Sequence, residues 1–349
     1  MEIATNVSLA QLSTMGLGGQ AAYATTVASR NELLGALDWA HGHGNLPVIM
    51  VGGGSNIVWR DKGFPGLVIV NKIRGFDVLE RGSDGSLVHV IAGSGEVWDN
   101  IVRHTVTAGY TGIECLSLIP GSVGATPVQN VGAYGQEISR VLVSVEAFDA
   151  RTAEFVEISF SECNFGYRTS RFNTVDRGRF YITAVTLRLT KTTPQPQLYA
   201  ALQSYLDDRQ ITIYTPQVLR DAVIAIRKSK LPDPSVVRNC GSFFANPITT
   251  HWNAQALKTV HDNLPIWPVD EGSCKLSAAW LIEQAGFKNY HDSETGMATW
   301  ITQPLVCINE HASSTADLLR FQEKIINAVY VKFAVRLFRE PVLLPITEI

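Results

Sequence analysis

Hydrophobic residues recur along the chain with two different periods, which predicts a mixture of helices and strands. The spacing typical of one helix face is found over residues 30–43 and 97–108. Short apolar runs typical of buried strands fill residues 47–51 and 67–70. Strands dominate from about residue 76 to residue 190. The further strands predicted there cover 87–92, 141–149 and 180–189.

The second half of the chain begins with a break and then turns to helices. The proline-rich patch from Thr192 to Pro196 predicts a linker. Beyond it, Thr215 precedes a proline, which is favoured at the first helical position, and this predicts a helix through Ile226. Two more helices are predicted at 275–285 and 314–332. A strand-like piece is predicted from Phe333 to Leu344.

Two glycine-rich loops are the candidate binding elements. Residues 120–135 read PGSVGATPVQNVGAYG, and residues 52–56 read GGGSN. Glycine and alanine leave the main chain uncovered, so its N–H groups can approach a ligand closely. Neither loop matches the P-loop motif or a GxGxxG that opens a helix. The two loops therefore predict one long ligand that contacts both, although a short glycine run is also common in simple turns.

Composition limits the classes of function. The chain has 349 residues, of which 46% are hydrophobic and 17% charged, as expected for a globular enzyme of two or three domains. A net charge of −3 argues against a nucleic-acid partner. No run is long enough for a membrane span, and the first residues lack the pattern of a signal peptide. Five scattered cysteines indicate reduced thiols and a cytoplasmic location, and no spacing indicates a metal site.

Six motifs occur in an order and spacing that resemble those of one family. They are GGGSN at 52–56, IPGSVGATPVQNVGAYG at 119–135, FGYRTSRF at 165–172, SKLPDP at 229–234, GSFFANP at 241–247, and Glu340. The chain resembles the UDP-N-acetylenolpyruvoylglucosamine reductase family over nearly its whole length. The segment around Tyr199 resembles the longer form of that family.

The resemblance implies an α+β fold. Two α/β subdomains of the vanillyl-alcohol oxidase type would hold FAD, and a third α+β domain would bind substrate. The implied boundaries are 1–75 together with 333–349 for the first FAD-binding subdomain, 76–213 for the second, and 214–332 for the substrate domain. A monomer is also implied.

The resemblance also implies the reaction. NADPH would reduce a noncovalently bound FAD, which would then reduce UDP-N-acetylglucosamine enolpyruvate to UDP-N-acetylmuramate for peptidoglycan synthesis, and hence for cell shape and division. Hydride addition to this substrate pushes negative charge into its carboxylate, so the site needs a cation and a proton donor. Arg168 and Glu340 match the family's residues that assist the intermediate, and Ser242 matches its proton donor.

Further residues match binding positions of the family. The implied FAD contacts are Gly52, Gly53, Gly54, Ser55, Asn56, Ile57, Pro120, Gly121, Gly124, Ala125, Gln129, Asn130, Gly132, Ala133 and Tyr134. The implied substrate contacts are Tyr199, Lys230, Asn246 and Gln303. Two departures from the family pattern stand near these positions: Leu337-Phe338-Arg339-Glu340-Pro341 around the glutamate, and Thr299-Trp300-Ile301-Thr302 before Gln303.

Two other functions stay open at this point. One is a different FAD-dependent oxidase of the same fold, which would use oxygen. The other is a non-catalytic protein that binds a UDP-sugar. Flavin absorbance in the purified protein would argue against the second, and slow reoxidation in air against the first.

Overall fold

The computed structural model describes residues 1–82, 85–194 and 199–346. Its residue contacts divide the chain into two units. The first unit contains Met1–Thr5, Ala22–Gly53 and Pro65–Lys228. The second contains Asn6–Ala21, Gly54–Phe64 and the chain from Ser229 onward. Each unit is therefore built from segments that are distant in sequence.

The helices of the described residues are α1 (Arg30–Gly42), α2 (Trp98–Thr107), α3 (Ala200–Asp207), α4 (Pro216–Lys230), α5 (His251–Val260), α6 (Ala278–Gln284) and α7 (Thr315–Phe333). None of them is long and apolar enough to cross a membrane.

The strands are β1 (Ala4–Ser8), β2 (Gln20–Val27), β3 (Val48–Val51), β4 (Ile57–Trp59), β5 (Phe64–Asn71), β6 (Phe76–Arg81), β7 (Leu87–Gly93), β8 (Gly132–Ala133), β9 (Gln136–Glu137), β10 (Leu142–Asp149), β11 (Glu154–Ser159), β12 (Phe180–Thr190), β13 (Asn239–Ser242), β14 (Ile248–Thr250), β15 (Ile266–Pro268), β16 (Ser273–Leu276), β17 (His291–Asp292), β18 (Met297–Trp300), β19 (Gln303–Asn309) and β20 (Val342–Leu344).

The first sheet of the first unit has the order β1-β2-β5-β3, and β3 pairs with β5 in parallel. Helix α1 packs on it because Leu33, Ala36 and Ala40 recur on one helix face and are buried. The helix starts at Ser29, whose hydroxyl accepts a hydrogen bond from the N–H of Glu32 at 3.2 Å. This α/β layer places the first glycine-rich loop directly after β3.

The second sheet of this unit has the order β11-β10-β12-β7-β6 and is antiparallel throughout. Val88, Val90 and Ala92 alternate along β7 and face a core that also contains Trp98 of α2. The Trp98 indole donates to the carbonyl of Leu116 at 3.0 Å, just before the second glycine-rich loop. Helices α3 and α4 pack on each other through a separate buried cluster.

The second unit is built on the antiparallel sheet β13-β19-β18-β17. Helices α6 and α7 share one large apolar core, which contains Phe243 and Phe244. A three-stranded sheet, β14-β16-β15, and the parallel pair β20-β4 complete this unit. Helix α7 begins at a capping box formed by Ser314 and Asp317, and ends at Ala334 in the left-handed region.

The structure confirms most of the elements predicted from periodicity, including α1, α2, β7, β10 and β12. The predicted helix at 275–285 is wrong in its first part. Residues up to Leu276 pair with β15, and the helix begins only at Ala278 because Ser277 caps it. The helix predicted to end at Ile226 runs on to Lys230.

The strand-like piece predicted from Phe333 to Leu344 is also largely wrong. Phe333 ends α7, and only Val342–Leu344 forms a strand. The residues between them form bridges to the segment after β13 instead. The linker predicted for residues 192–196 extends over 195 and 196, which lie outside the described residues.

Candidate functional site

In the first unit, Gly52 and Gly53 at the start of the first glycine-rich loop lie directly against the start of the second loop. A Cβ placed on Gly52 would be 2.1 Å from the Oγ of Ser122, and one placed on Gly53 would be 3.2 Å from the Cα of Gly121. A side chain at Gly52 would therefore require Ser122 to move. The sequence predicted that both loops serve one ligand, and the first unit brings Gly52 and Gly53 into contact with residues 121–122.

The first half of the long loop is hydrogen-bonded to the segment before α2. The N–H of Trp98 donates to Gly121, the N–H of Val123 to Glu96, and the N–H of Gly124 to Ser94, at 2.8 to 3.1 Å. A Cβ on Gly124 would lie 2.6 Å from the Cβ of Ser94, so this position cannot carry a larger side chain without a backbone shift. The loop is held by main-chain bonds, as a rigid cradle for a ligand requires.

The FGYRTSRF segment is bonded to the second half of the same loop. Arg168 donates from Nη2 to the carbonyl of Gly132 at 2.9 Å, and its guanidinium lies over the ring of Tyr167. Asn130 donates to the carbonyl of Gly166 at 3.1 Å and accepts from the N–H of Ser139 at 3.0 Å. The Asn130 side chain thus fixes the loop shape, and Arg168 is brought to the loop.

Several non-glycine residues here have left-handed backbone angles. They are Leu118 (φ 58°), Asn130 (φ 47°), Tyr134 (φ 48°) and Arg168 (φ 58°). Such angles cost about 1–3 kcal/mol each and cluster at functional sites. Two of them lie in the long loop, one just before it and one in its partner segment, which supports a binding or catalytic role for this region.

A partly buried cluster of Tyr134, Tyr199 and Arg227 adjoins the end of the long loop. The ring of Tyr134 meets that of Tyr199 edge to face, with centroids 6.3 Å apart. Burial raises the pKa of both phenols, and the charge of Arg227 partly offsets this for Tyr134. Burial also lowers the pKa of Arg227, and its Nε meets no acceptor within the described part of the chain.

Sequence reasoning missed Arg227, although a signal was present. Arg227 follows Ile226 on α4, whose buried face contains Leu219, Val223 and Ile226. Arg227 comes four residues after Val223 and therefore lies on this same apolar face. A buried Nε without an acceptor is costly unless a ligand accepts from it.

In the second unit, Ser242 and Glu340 lie on neighbouring extended segments. Ser242 ends β13 opposite Val306, after a bulge at Gly241 with φ 75°. The carbonyl of Phe243 accepts the N–H of Glu340 at 3.0 Å, and Phe244 forms a bridge with Arg339. The unit therefore places two of the three proposed catalytic residues side by side.

The charges of Arg339 and Glu340 also act on Cys240, which is two residues before Ser242. Burial raises the pKa of the Cys240 thiol far above its ordinary value. The thiol is therefore uncharged at neutral pH. All five cysteines of the chain are free and buried.

The candidate substrate residues of the second unit lie at the ends of elements. The hydroxyl of Thr302 donates to the carbonyl of Lys230 at 2.8 Å. This bond joins the end of α4 to the β18–β19 turn, where Gln303 begins β19. Asn246 accepts from the N–H of Ala278 at 3.0 Å and so helps to cap α6. The structure thus brings Lys230 and Gln303 to one turn.

Four proposed FAD contacts belong to the second unit: Gly54, Ser55, Asn56 and Ile57. A Cβ on Gly54 would lie 2.3 Å from the carbonyl oxygen of Leu12, and its φ of 70° also requires glycine. The carbonyl of Asn56 accepts from the N–H of Val342 at 3.0 Å, and Ile57 pairs with Val342 in β20.

Comparison with known proteins agrees with this geometry. Residues 21–159 match a family model described as the FAD binding domain, and residues 233–344 match one described as the C-terminal domain of UDP-N-acetylenolpyruvoylglucosamine reductase. The chain is 39% identical over 343 residues to the UDP-N-acetylenolpyruvoylglucosamine reductase of Alcanivorax borkumensis, covering 97% of this chain and 96% of that one. The chain belongs to the UDP-N-acetylenolpyruvoylglucosamine reductase family.

Other members of the reductase family have a similar sequence identity to this chain. The chain is 39% identical to the Chromobacterium violaceum reductase, covering 99% of each chain, and 41% identical to that of Neisseria meningitidis, covering 85% of each. The crystal structure of the Thermus caldophilus reductase aligns with a TM-score of 0.67 at 22% identity, covering 99% of this chain and 98% of that one. The family resemblance seen in the sequence and the α+β FAD-binding fold are confirmed.

Proposed function

We propose that the protein reduces UDP-N-acetylglucosamine enolpyruvate to UDP-N-acetylmuramate, with noncovalent FAD as cofactor and NADPH as co-substrate. This is a step of peptidoglycan precursor synthesis. The observation that carries the proposal is the 39% identity to a named reductase over 97% of this chain. The contact between the two glycine-rich loops supports it from the structure.

The chain's own residues fit FAD. Glycine at 52 and 53 lets the two loops come together, because a Cβ at these positions would meet Ser122 and Gly121, and neither loop carries an acidic side chain that would repel an extended diphosphate. When bound, FAD supplies the hydride carrier between NADPH and the enolpyruvyl group. Asn130 and Gly124 act by shaping the loop.

Arg168 stabilises the charge that develops on the substrate. Its guanidinium is held by the Gly132 carbonyl and lies over Tyr167, so it is oriented before substrate arrives. A preoriented cation near a developing carboxylate charge is worth several kcal/mol. The left-handed backbone of Arg168 is consistent with a position set by function.

Ser242 donates the proton to the substrate carbon, and Glu340 assists from the adjoining segment. Serine is a weak acid in water, yet protonation of an enolate carbon is favourable, so a well-placed hydroxyl suffices. The bond between Phe243 and Glu340 holds the two segments in register. This main-chain bond supports the proposal that Glu340 orients the hydroxyl.

The sugar nucleotide is bound by Tyr199, Lys230, Asn246 and Gln303. Of these, Lys230 can neutralise its diphosphate and Tyr199 can hydrogen-bond it. Within the first unit we add Arg227 to Tyr199, because the Arg227 Nε is buried, meets no acceptor in the described part of the chain, and its charge acts on Tyr134. Lys230 is exposed at the end of α4, where it can reach a phosphate.

The domain organisation, the oligomeric state and the cellular location of the protein are part of the same proposal. Three domains, with boundaries near residues 75, 213 and 332, would divide FAD binding from substrate binding. The protein would be monomeric and cytoplasmic. Five free, buried cysteines support a reducing environment.

One set of measurements tests the function. Purified protein should show flavin absorbance, and denaturation should release FAD into the supernatant. The enzyme reduced by NADPH should reoxidise quickly with the enolpyruvyl sugar nucleotide and slowly in air. Because both substrates would use one pocket in turn, initial-rate plots should be parallel.

Other results would each point elsewhere. Fast reoxidation by oxygen with no response to the sugar nucleotide would indicate an oxidase. Colourless protein that cannot be reconstituted with FAD, yet binds a UDP-sugar, would indicate a binding protein. Intersecting rate plots would reject the shared pocket.

A further inference from the structure

An ion pair of the first unit is hydrogen-bonded to the residues that come just before the long glycine-rich loop. Asp99, in the first turn of α2, faces Arg220 of α4 with two parallel bonds of 2.7 and 2.8 Å. The Arg220 side chain is 7% exposed and that of Asp99 is 26% exposed. A largely buried, bidentate pair of this kind is strong only when its remaining polar atoms are also bonded.

The remaining bonds of this pair go to the residues just before the loop. Asp99 accepts the N–H of Leu118 at 2.6 Å, and Arg220 donates to the hydroxyl of Ser117 at 2.9 Å. Leu118 has a φ of 58°, which a leucine adopts only when its surroundings enforce it. The loop itself begins two residues later, at Pro120.

The charge balance at Asp99 agrees with this geometry. Burial alone would raise the pKa of Asp99, but bonds from Arg220 and from the N–H of Leu118 outweigh it, so the pKa is lowered. The carboxylate is thus ionised at neutral pH. It accepts hydrogen bonds both from Arg220 of α4 and from the main-chain N–H of Leu118.

We propose that Asp99 and Arg220 are positioning residues for FAD: they hold Ser117 and Leu118 so that the loop starting at Pro120 keeps the shape that receives the cofactor. In this proposal Asp99 and Arg220 affect FAD only by fixing the conformation of the loop. Tyr134, at the far end of the same loop, packs against the buried apolar cluster of α3 and α4, so this helical layer contacts the chain at both ends of the loop. The inference rests on the FAD-binding part of the proposed function.

A second ion pair offers a matched control. Asp149 is bidentate to Arg179 at 2.6 and 2.9 Å and accepts the N–H of Arg151 at 2.9 Å, so its bonding is the same in kind. It joins the ends of β10 and β12, and its backbone donor is Arg151 rather than a residue beside the loop. Loss of either pair should lower stability, but only loss of the first should affect FAD.

The experiment measures FAD release from the holoenzyme by the rise of flavin fluorescence on dilution, together with the visible circular dichroism of the bound flavin. Asp99→Asn should release FAD about tenfold faster, or about 1.4 kcal/mol, and change the dichroism. Asp149→Asn should leave both unchanged while lowering the unfolding midpoint. Arg220→Lys, whose single ammonium cannot serve Asp99 and Ser117 together, should fall between wild type and Asp99→Asn.

The milder variant Ser117→Ala keeps the test valid if Asp99→Asn does not fold. It removes one acceptor of Arg220 and should speed release about two- to threefold, as expected for the loss of one hydrogen bond. Equal release from wild type and the Asp99, Arg220 and Ser117 variants would overturn the proposal, as would equal acceleration in Asp149→Asn. A wild-type protein that binds no FAD would instead overturn the proposed function.

Discussion

Gly52 and Ser122 are so close that a Cβ on Gly52 would lie 2.1 Å from the Ser122 Oγ and 3.1 Å from its Cβ. Within the first unit, this contact joins the start of the GGGSN motif to the long glycine-rich loop. The absence of a side chain at residue 52 is therefore required by the neighbouring loop itself. We expect the spacing of the two loops to affect FAD binding, because both loops are proposed to contact the cofactor.

Gly52→Ala should weaken FAD binding because the new methyl group separates the loops. Overpacking of this kind costs about 1–3 kcal/mol, so we expect the FAD dissociation constant to rise about tenfold. Titration of the apoprotein with FAD measures it. The double variant Gly52→Ala/Ser122→Ala should recover most of the affinity, since only the 3.1 Å contact remains.

The control for this prediction is Gly35→Ala on α1. Nothing lies within 4 Å of a Cβ at Gly35, and alanine is the better helix former, so stability should rise and FAD affinity should not change. If Gly35→Ala weakened FAD binding as much as Gly52→Ala, the contact with Ser122 would not be the cause.

The positive φ of Arg168 predicts that the glycine variant at this position is more stable than the alanine variant. Both Arg168→Gly and Arg168→Ala should lose the reduction of the enolpyruvyl substrate. Arg168→Gly should nevertheless be more stable than Arg168→Ala by about 1 kcal/mol, because a φ of 58° costs alanine but not glycine. Urea unfolding measures the difference.

At Arg171, three residues later, the order should reverse. Arg171 begins a short 3-10 helix and does not have a positive φ, so glycine there gains nothing and loses more entropy than alanine. The same order at both positions would mean that the left-handed angle of Arg168 has no energetic consequence.

The sequence predicted elements with strong local signals and missed those that depend on distant partners. Helix α1 and strand β10 follow from periodicity, and the glycine-rich loops from composition and family motifs. Helix α5 was missed because Ala254 is its one buried residue and Trp252 is exposed, so it has little periodic signal. Residues 338–340 could not be predicted because their partners at 243–245 lie far away in the chain.

The same limit applies to the candidate site. Motifs selected Arg168 and Ser242, but no local pattern indicates that Asp99 and Arg220 meet across two helices. Arg227 could have been suspected from its place beside the buried face of α4. Its unused Nε depends on tertiary packing and is visible only in the structure.

Acid should remove the stabilising effect of Asp149. The bonds from Arg179 outweigh burial and lower the pKa of Asp149 to about 2, against about 3.9 in an unfolded chain. A lowered carboxyl pKa gives stability that is complete above the unfolded pKa and is lost as pH falls through the folded pKa. The contribution is about 2–3 kcal/mol at pH 7 and should fade as pH falls from about 5 toward 2.

Urea unfolding at several pH values checks this. The stability difference between wild type and Asp149→Asn should shrink as pH falls, and Arg179→Met should show a similar dependence. The double variant should be less destabilised than the sum of the single variants. A difference that is independent of pH would rule out the Asp149 carboxylate as its source.

Lys230→Ala should act on binding of the sugar nucleotide. Lys230 is exposed at the end of α4 and can neutralise a phosphate, so its loss should raise the KM for the sugar nucleotide about tenfold or more. Flavin reduction by NADPH should change less. Lys228→Ala, an exposed lysine on the same helix, is the matched control and should leave the KM unchanged. An unchanged KM in Lys230→Ala would remove Lys230 from the substrate site.

Ser242→Ala should separate the two half-reactions. Hydride transfer from NADPH to FAD needs no proton from Ser242, so the variant should be reduced at nearly the normal rate. Reoxidation by the enolpyruvyl substrate needs carbon protonation and should slow by about 10² to 10⁴, the usual contribution of a general acid. Stopped-flow absorbance of the flavin measures each half separately.

Ser242→Cys provides the matched comparison, because its thiol can still donate a proton where alanine cannot. Reoxidation in Ser242→Cys should therefore be faster than in Ser242→Ala, while the packing of β13 against β19 is kept in both. Equal slowing of both half-reactions would point to a role in packing or cofactor placement, because reduction by NADPH does not involve the proton. Unchanged reoxidation in Ser242→Ala would show that another group protonates the substrate, and Glu340 would then be the first residue to test, since its N–H bonds the carbonyl next to Ser242.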